Sequence, residues 1–290
     1  MQKTPHFFKF YSRMGLKNPP IYTKALNIGV EEAPDAILDD MFLASFPTAT
    51  VDAFAFADPQ TIPDKDFMGE VAVESFEAIS IIKNTLSSDE TQVVVGGDHS
   101  VAFASINAVL ERVKSVDLGY VQIDSHTDMN RYDESISKNW HGMYLRPLLD
   151  GYDVPLINAL VSQKLTHKNV TFIGNLDADP AEWKFFQDNN LANITVEQAR
   201  KKSGLDSLLV RLSQLKHLHI SIDIDGFDGS IAPATGLPAK EGLLFEDVKP
   251  LFDFAKSFPS ISIDLVEVNP KKEGAQQTIK LAQDILRALV

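Results

Sequence analysis

The sequence predicts a single-domain, three-layer α/β/α fold with a mainly parallel sheet. Three observations carry that expectation. Short runs rich in β-branched residues recur along the chain, too apolar to leave a face in water, as strands covered on both faces must be. Each run is followed by a polar cluster and then by apolar residues at helical spacing, the alternation that builds parallel sheets. The chain has 290 residues, 44% of them hydrophobic, enough for one sizeable core.

Taken in order, Phe7–Tyr11 is expected as a first strand. The Pro- and Asp-rich stretch Asp58–Asp66 is a loop ahead of a helix over Phe67–Leu86, where Val71, Phe76, Ile79 and Ile82 mark the apolar stripe. Thr91–Val95 (T-Q-V-V-V) is a strand, followed by G-G-D-H-S and a helical V-A-F-A-S-I-N-A-V-L. Leu118–Ile123 leads into D-S-H-T-D-M-N. Asn169–Ile173 precedes G-N-L-D-A-D-P and the helix-like A-E-W-K-F-F. His217–Ile222 precedes D-I-D-G-F-D, and Ser260–Val268 runs into N-P. Over Glu273–Val290, residues Ala275, Ile279, Ala282, Ile285, Leu286 and Leu289 share one helical face and should pack on the sheet. No repeat, low-complexity tract or linker interrupts the pattern, so one domain spans residues 1–290. The polar clusters fall at the carboxyl ends of successive strands, where open α/β sheets bind ligands.

Composition narrows the function. Without cysteine there is no disulfide framework, thiolate metal site or cysteine nucleophile, which fits a reducing compartment. A formal net charge of −13 argues against nucleic acid or an anionic membrane as the main partner. The amino terminus lacks the long apolar core of a signal peptide and no run reaches membrane-spanning length, so a cytoplasmic protein is expected.

The chemistry concentrates in a few short segments. In Q-I-D-S-H-T-D, Asp124, His126 and Asp128 alternate, so an extended chain aims all three to one side. Asp223 and Asp225 have the same spacing, and His99 stands in G-G-D-H-S. Four carboxylates brought together repel, by about 4 kcal/mol per pair at ~4 Å and an effective dielectric near ~20. Two divalent cations would neutralise them and leave His99 and His126 as nitrogen ligands. An oxygen-rich shell of this kind suits Mn²⁺, although affinity alone would not exclude Zn²⁺ or Co²⁺. Water bridging two such ions would be hydroxide near neutral pH and a strong nucleophile. Glu267, in D-L-V-E-V-N-P, reads as a group for the substrate.

Taken in order, G-G-D-H-S, D-S-H-T-D, W-H-G-M, S-I-D-I-D-G-F-D and E-V-N-P resemble the motifs of the ureohydrolases, the family of arginases and agmatinases. The likeness runs from about Gly29 to the carboxyl terminus. It implies a parallel α/β fold with two Mn²⁺ per chain, and hydrolysis of a guanidinium to urea and an amine. By this resemblance His99, Asp124, Asp128 and Asp223 would hold one ion, and His126, Asp124, Asp223 and Asp225 the other. Asp128 would pass a proton to the departing amine, His141 would shuttle protons, and Glu267 would orient the guanidinium. Relatives assemble as trimers or hexamers, and a homo-oligomer is expected here too.

Within the family the chain is most similar to arginases, which implies L-arginine as substrate and L-ornithine and urea as products. G-V-E-E-A-P at Gly29–Pro34, the Asp128-to-His141 interval and A-P-A-T-G at Ala232–Gly236 are arginase-like. Asn130 and Ser137 stand where arginases hold the α-carboxylate, and Asp179 and Glu182 where they recognise the α-amino group. Neutral hydrogen-bonding side chains suit the first and anions the second. Ser125, Tyr144, Gly229 and Leu237 depart from the usual residues, and Leu237 with Met143–Tyr144 keeps another ureohydrolase, such as an agmatinase or a guanidino-acid hydrolase, as the alternative. Among the other polar residues, His217 and His219 read as structural, His6 and His167 as surface, Asp98 and Asp228 as loop organisers, Trp140 as packing, and Arg131 and Arg146 as solvated charges, with contact to an anionic substrate group as the alternative for Arg131.

Overall fold

The structure, a computed structural model, describes residues 3–18 and 27–290. The portions of the one-domain expectation on residues 1–2 and 19–26 lie outside the described residues. Eight strands are described: β1 (Thr4–Tyr11), β2 (Thr50–Ala55), β3 (Glu90–Gly96), β4 (Leu118–Ile123), β5 (Val170–Ile173), β6 (Ala192–Ile194), β7 (His217–Asp223) and β8 (Ile261–Val266). They form one sheet in the order β2-β1-β3-β8-β7-β4-β5-β6, and every neighbouring pair is parallel. The longer helices are α1 (Phe67–Thr85), α2 (Ala102–Leu110), α3 (Pro180–Asp188), α4 (Asp206–Leu212), α5 (Phe245–Lys256) and α6 (Ala275–Leu289).

The two-residue period of the strands divides the core into two layers. Phe7, Val121, Ile123, Ile220 and Ile222 pack with the buried residues of α4, α5 and α6. Their neighbours Phe8, Phe10, Leu118 and Tyr120 turn the other way, onto α1 and α2. Each fully buried aliphatic side chain contributes about 1.5–3 kcal/mol, so the central strands form a stiff platform for the loops at their carboxyl ends. The three layers and the parallel sheet agree with the expected fold. Among the described residues no helix is long and apolar enough to cross a membrane.

Differences from the sequence reading have local causes. Phe76 is 58% exposed, because the buried row of α1 runs through Val71, Ser75, Ala78, Ile79 and Ile82 and leaves Phe76 well round the helix. The first strand begins at Thr4 rather than Phe7, which places His6 on the same face as Phe8. His6 is therefore not a surface residue. It is buried, stacks on the Phe8 ring at 4.3 Å between centroids, and sets its ring nitrogens 2.9 Å from Asp52 and 3.0 Å from Glu90. His167 is half-buried against Phe185, its Nε2 donating to the Leu149 carbonyl at 3.0 Å. Arg146 is buried, its guanidinium 3.7 Å over the Phe185 ring with one nitrogen donating to the Met129 carbonyl. A flat, weakly hydrated cation stacks on an aromatic face readily, so a charge need not mean solvent.

Candidate metal centre

The four central strands β3, β8, β7 and β4 lie side by side and bring their carboxyl-end loops to one place. Asp124 follows β4 directly. Its amide donates to the Ile173 carbonyl at 3.2 Å, so the sheet ladder in effect runs one residue past the strand. A Cβ on Gly174, at φ +152°, would stand 2.0 Å from the Asp124 carbonyl oxygen. Only glycine lets the two backbones approach so closely. Gly174→Ala is expected to cost about 1–3 kcal/mol or more of unfolding free energy, measured by urea denaturation, and to loosen Asp124.

Asp128 and Glu267 are two of the four non-glycine residues with positive φ among the described residues, at 52° and 66°. Such backbone costs roughly 1–3 kcal/mol each and persists where the surroundings force a side chain into place. For Glu267 those surroundings include its own amide, which donates to the Gly97 carbonyl at 2.7 Å.

The predicted ligands converge. His99 Nδ1 lies 2.9 Å from Asp128 Oδ2, 3.2 Å from Asp124 Oδ2 and 3.3 Å from Asp223 Oδ2. His126 Nδ1 lies 3.2 Å from Asp225 Oδ2 and 3.5 Å from Asp124 Oδ1. Asp124 thus turns one oxygen to each histidine. Ligand atoms of His99, Asp124 and Asp223 lie within 4.8 Å of one another, as do those of Asp124, His126 and Asp225. His99 Nδ1 is buried and makes no hydrogen bond despite its three carboxylate neighbours. A buried nitrogen without a bond, ringed by carboxylate oxygens, fits a cation rather than a network of protons.

Electrostatics agree. Burial pushes Asp223 well above the usual carboxylate range, and the charges of Asp225 and Asp124 push it further. Burial and the Asp124 charge raise Asp128 as well. Burial opposes the charged form of Asp124 too, but the nearby imidazoles of His126 and His99 hold it low. Burial alone would lower His99 and His126, yet the surrounding carboxylates raise both well above the ordinary imidazole range. Protons stand where positive charge is wanted.

Glu267 sits behind this cluster. Its Oε1 accepts from the His99 amide at 3.0 Å and its Oε2 from Asn27 Nδ2 at 3.1 Å. Burial raises it to about 7, against the lowering influence of His141. His141 is half-buried, with Nδ1 donating to the Gly15 carbonyl at 2.9 Å. A carbonyl only accepts, so the other ring nitrogen is the one free to take a proton. Asp98 organises its loop as expected, accepting from Ser12 and Ser100. Asp228 fixes its turn through the amides of Ser230 and Gly242. His217 and His219 are structural, bonded to Ser260, Ser262 and Asp264 of the neighbouring strand region. Trp140 packs edge-on against Phe103 and Tyr152.

The head-group candidates fall beside the 124–130 loop. Asn130 Nδ2 donates to Asp179 Oδ2 at 3.1 Å, while Asn130 Oδ1 is buried without a partner among the described residues. Glu182 closes the first turn of α3 by accepting from the Asp179 amide at 2.9 Å. Its other oxygen accepts from Thr127 Oγ1 at 2.5 Å and the Met129 amide at 2.8 Å. Burial raises it to about 7. Ser137 is half-buried, its Oγ accepting from the Asn139 amide at 3.3 Å. Sequence reasoning missed Asn27 as the partner of Glu267, 240 residues away, since no local signal joins them. It also passed over Gln122, a polar side chain in an otherwise buried strand, which was the one available clue.

The comparisons with known proteins agree with this geometry. Residues 20–290 match the arginase family. Arginase from Schizosaccharomyces pombe is 32% identical over 221 residues, covering 72% of this chain and 67% of that protein. Arginase from Staphylococcus aureus strain MRSA252 is 30% identical over 210 residues, covering 69% and 68%. The crystal structure of Entamoeba histolytica arginase in complex with L-ornithine is similar with a TM-score of 0.85 at 25% identity, covering 100% of this chain and 98% of that one. By sequence and by fold, therefore, the chain belongs to the arginase family and is a hydrolase of guanidino C–N bonds.

Proposed function

We propose that the chain hydrolyses L-arginine to L-ornithine and urea at a site holding two Mn²⁺. The convergence of two imidazoles and four carboxylates in front of Glu267 is the observation that carries this reading. His99, Asp124, Asp128 and Asp223 would hold one cation, and His126, Asp124, Asp223 and Asp225 the other. Bound there, the cations supply Lewis-acid activation of water at neutral pH.

The remaining work belongs to side chains. Glu267 is fixed at both oxygens and meets the guanidinium as a positioned counter-charge. Asp128, at the edge of the cluster with Oδ2 2.9 Å from His99 Nδ1, is placed to carry a proton to the leaving amine. His141 exchanges that proton with solvent through its free ring nitrogen. Asn130 and Ser137 offer neutral hydrogen bonds to an α-carboxylate. Asp179 offers its charge to an α-ammonium, with Glu182 holding it in place.

This head-group pattern and the arginases among the relatives favour L-arginine over agmatine, which lacks the carboxylate. Leu237, 39% exposed beside Gly236, is the feature that favours the alternative, since it follows a glycine whose added Cβ would lie 3.9 Å from Glu267 Oε2. Urea release should show kcat/KM for L-arginine at least about 10-fold above agmatine, the scale of one lost charge-assisted hydrogen bond. Preference for agmatine or a guanidino acid would overturn the substrate assignment.

A further inference from the structure

Two ligand residues of the centre are gripped from behind by hydrogen bonds that the mechanism above does not use. The Tyr144 hydroxyl lies 2.9 Å from His99 Nε2 and 3.3 Å from Gln122 Oε1. Tyr120 donates to the same Gln122 oxygen at 2.8 Å and lies 3.2 Å from the Tyr144 hydroxyl. Gln122 Nε2 donates to Asp124 Oδ2 at 2.7 Å, and Ser221 Oγ lies 3.0 Å from His99 Nε2. Tyr120, Gln122 and Tyr144 are all fully buried.

The proton positions follow from the donor and acceptor inventory. An ionised Asp124 only accepts, so Gln122 turns its amino group there and its carbonyl toward the two phenols. Each phenol has a single hydrogen: Tyr120 gives its own to Gln122 Oε1, and Tyr144 can direct its own to the Tyr120 oxygen or to Gln122 Oε1 whenever His99 Nε2 is the donor. The Tyr144 oxygen then has only lone pairs for His99, so with a cation in place His99 Nε2 carries the hydrogen and Nδ1 turns its lone pair to the ion among Asp124, Asp128 and Asp223. A cation requires that tautomer. Among the described residues no such arrangement stands behind His126, whose side chain is 31% exposed.

We propose that Tyr144 and Gln122 are positioning residues that set the tautomer of His99 and the orientation of Asp124, so that cation affinity on the His99 side depends on the Tyr144 hydroxyl. The inference rests on the two-cation reading of the centre. Partners of this kind typically contribute 10–100-fold to metal affinity.

The test titrates Mn²⁺ into metal-stripped protein and follows the unbound ion by electron paramagnetic resonance. Tyr144→Phe keeps the ring and removes the hydroxyl. It should weaken one of two binding equivalents by about 10–100-fold, leave the other unchanged, and preserve a cooperative melt of the metal-free protein. Gln122→Leu should act on the same equivalent. In a His126→Ala background the Tyr144→Phe loss should fall on the equivalent that remains. Unchanged affinities, or equal weakening of both equivalents, would overturn the inference while wild-type uptake of two ions leaves the two-cation reading standing. A wild-type chain that takes up no divalent cation would overturn both.

Discussion

Asp223→Asn should make the metal-free protein more stable and abolish its response to Mn²⁺. In the folded chain, burial and then the charges of Asp225 and Asp124 hold the Asp223 carboxyl well above its ordinary value of 3.8. Its folded pKa therefore exceeds its unfolded one. The stability that accompanies the protonated form is fully present below about pH 4 and is lost as pH rises through the raised folded value. At pH 8 an aspartate here opposes folding, whereas an asparagine is neutral and still accepts the Asp225 amide that Asp223 Oδ1 accepts at 2.8 Å. The expected gain is on the order of 1 kcal/mol, or about 2–4 °C in melting temperature.

With Mn²⁺ the order reverses, because wild type gains stability by mass action and the variant loses a carboxylate proposed to serve both ions. Hydrolysis should fall by at least about 10³-fold, the upper scale for losing one preorganised electrostatic group. In wild type, the difference between loaded and metal-free melting temperatures should widen from about pH 5 to 8, as protons stop competing for His99, His126 and the carboxylates. A variant that kept the Mn²⁺-induced shift would remove Asp223 from the proposed ligand set.

The central strands could be read because both their faces are buried. Leu118–Ile123 has the same bounds in the sequence reading and in the structure, and His217–Ile222 falls one residue short. The edge strands were not legible for the complementary reason. In β2, T-V-D-A-F-A is half solvent-facing, and β6 has only three residues, so neither shows the continuous apolar run of its interior neighbours.

The candidate ligands were legible because alternation at a strand end is a local pattern, and D-x-H-x-D and D-x-D state it in a few letters. What supports them was not. Asn27 and Glu267, or Tyr144 and His99, are joined only through tertiary packing, and their distance in sequence carries no period. Arg146 and His6 were misjudged because polarity alone does not fix exposure when an aromatic face or a pair of carboxylates is within reach.

Glu267→Gln should lower kcat/KM for the guanidino substrate by about 10²-fold or more while leaving Mn²⁺ affinity near wild type. The reason lies in a chain of amides with one permitted direction. Asn269 Nδ2 donates to Asn27 Oδ1 at 2.7 Å, so Asn27 must present its amino group to Glu267 Oε2 at 3.1 Å. The other oxygen, Oε1, receives the His99 amide at 3.0 Å. Position 267 thus requires two acceptors, which a carboxylate has and a glutamine lacks. The variant must turn an amino group either onto Asn27 or onto the His99 amide, and it loses the charge that a guanidinium needs. Truncating one member of a buried charge pair costs about 2–5 kcal/mol, and about 3 kcal/mol corresponds to roughly 10²-fold.

The pH profile carries a second signature of the same residue. Burial raises Glu267 to about 7, so near neutrality the free enzyme holds a mixture of acid and carboxylate. Only the carboxylate attracts a cationic substrate, and two divalent cations beside it favour that form, so at saturating Mn²⁺ the rise of kcat/KM with pH should fall below about 7 in wild type and be lost in the variant. Retention of both the rise and the wild-type kcat/KM would show that the guanidinium is oriented by another group, and the functional reading of Glu267 would fall while the metal ligands stood.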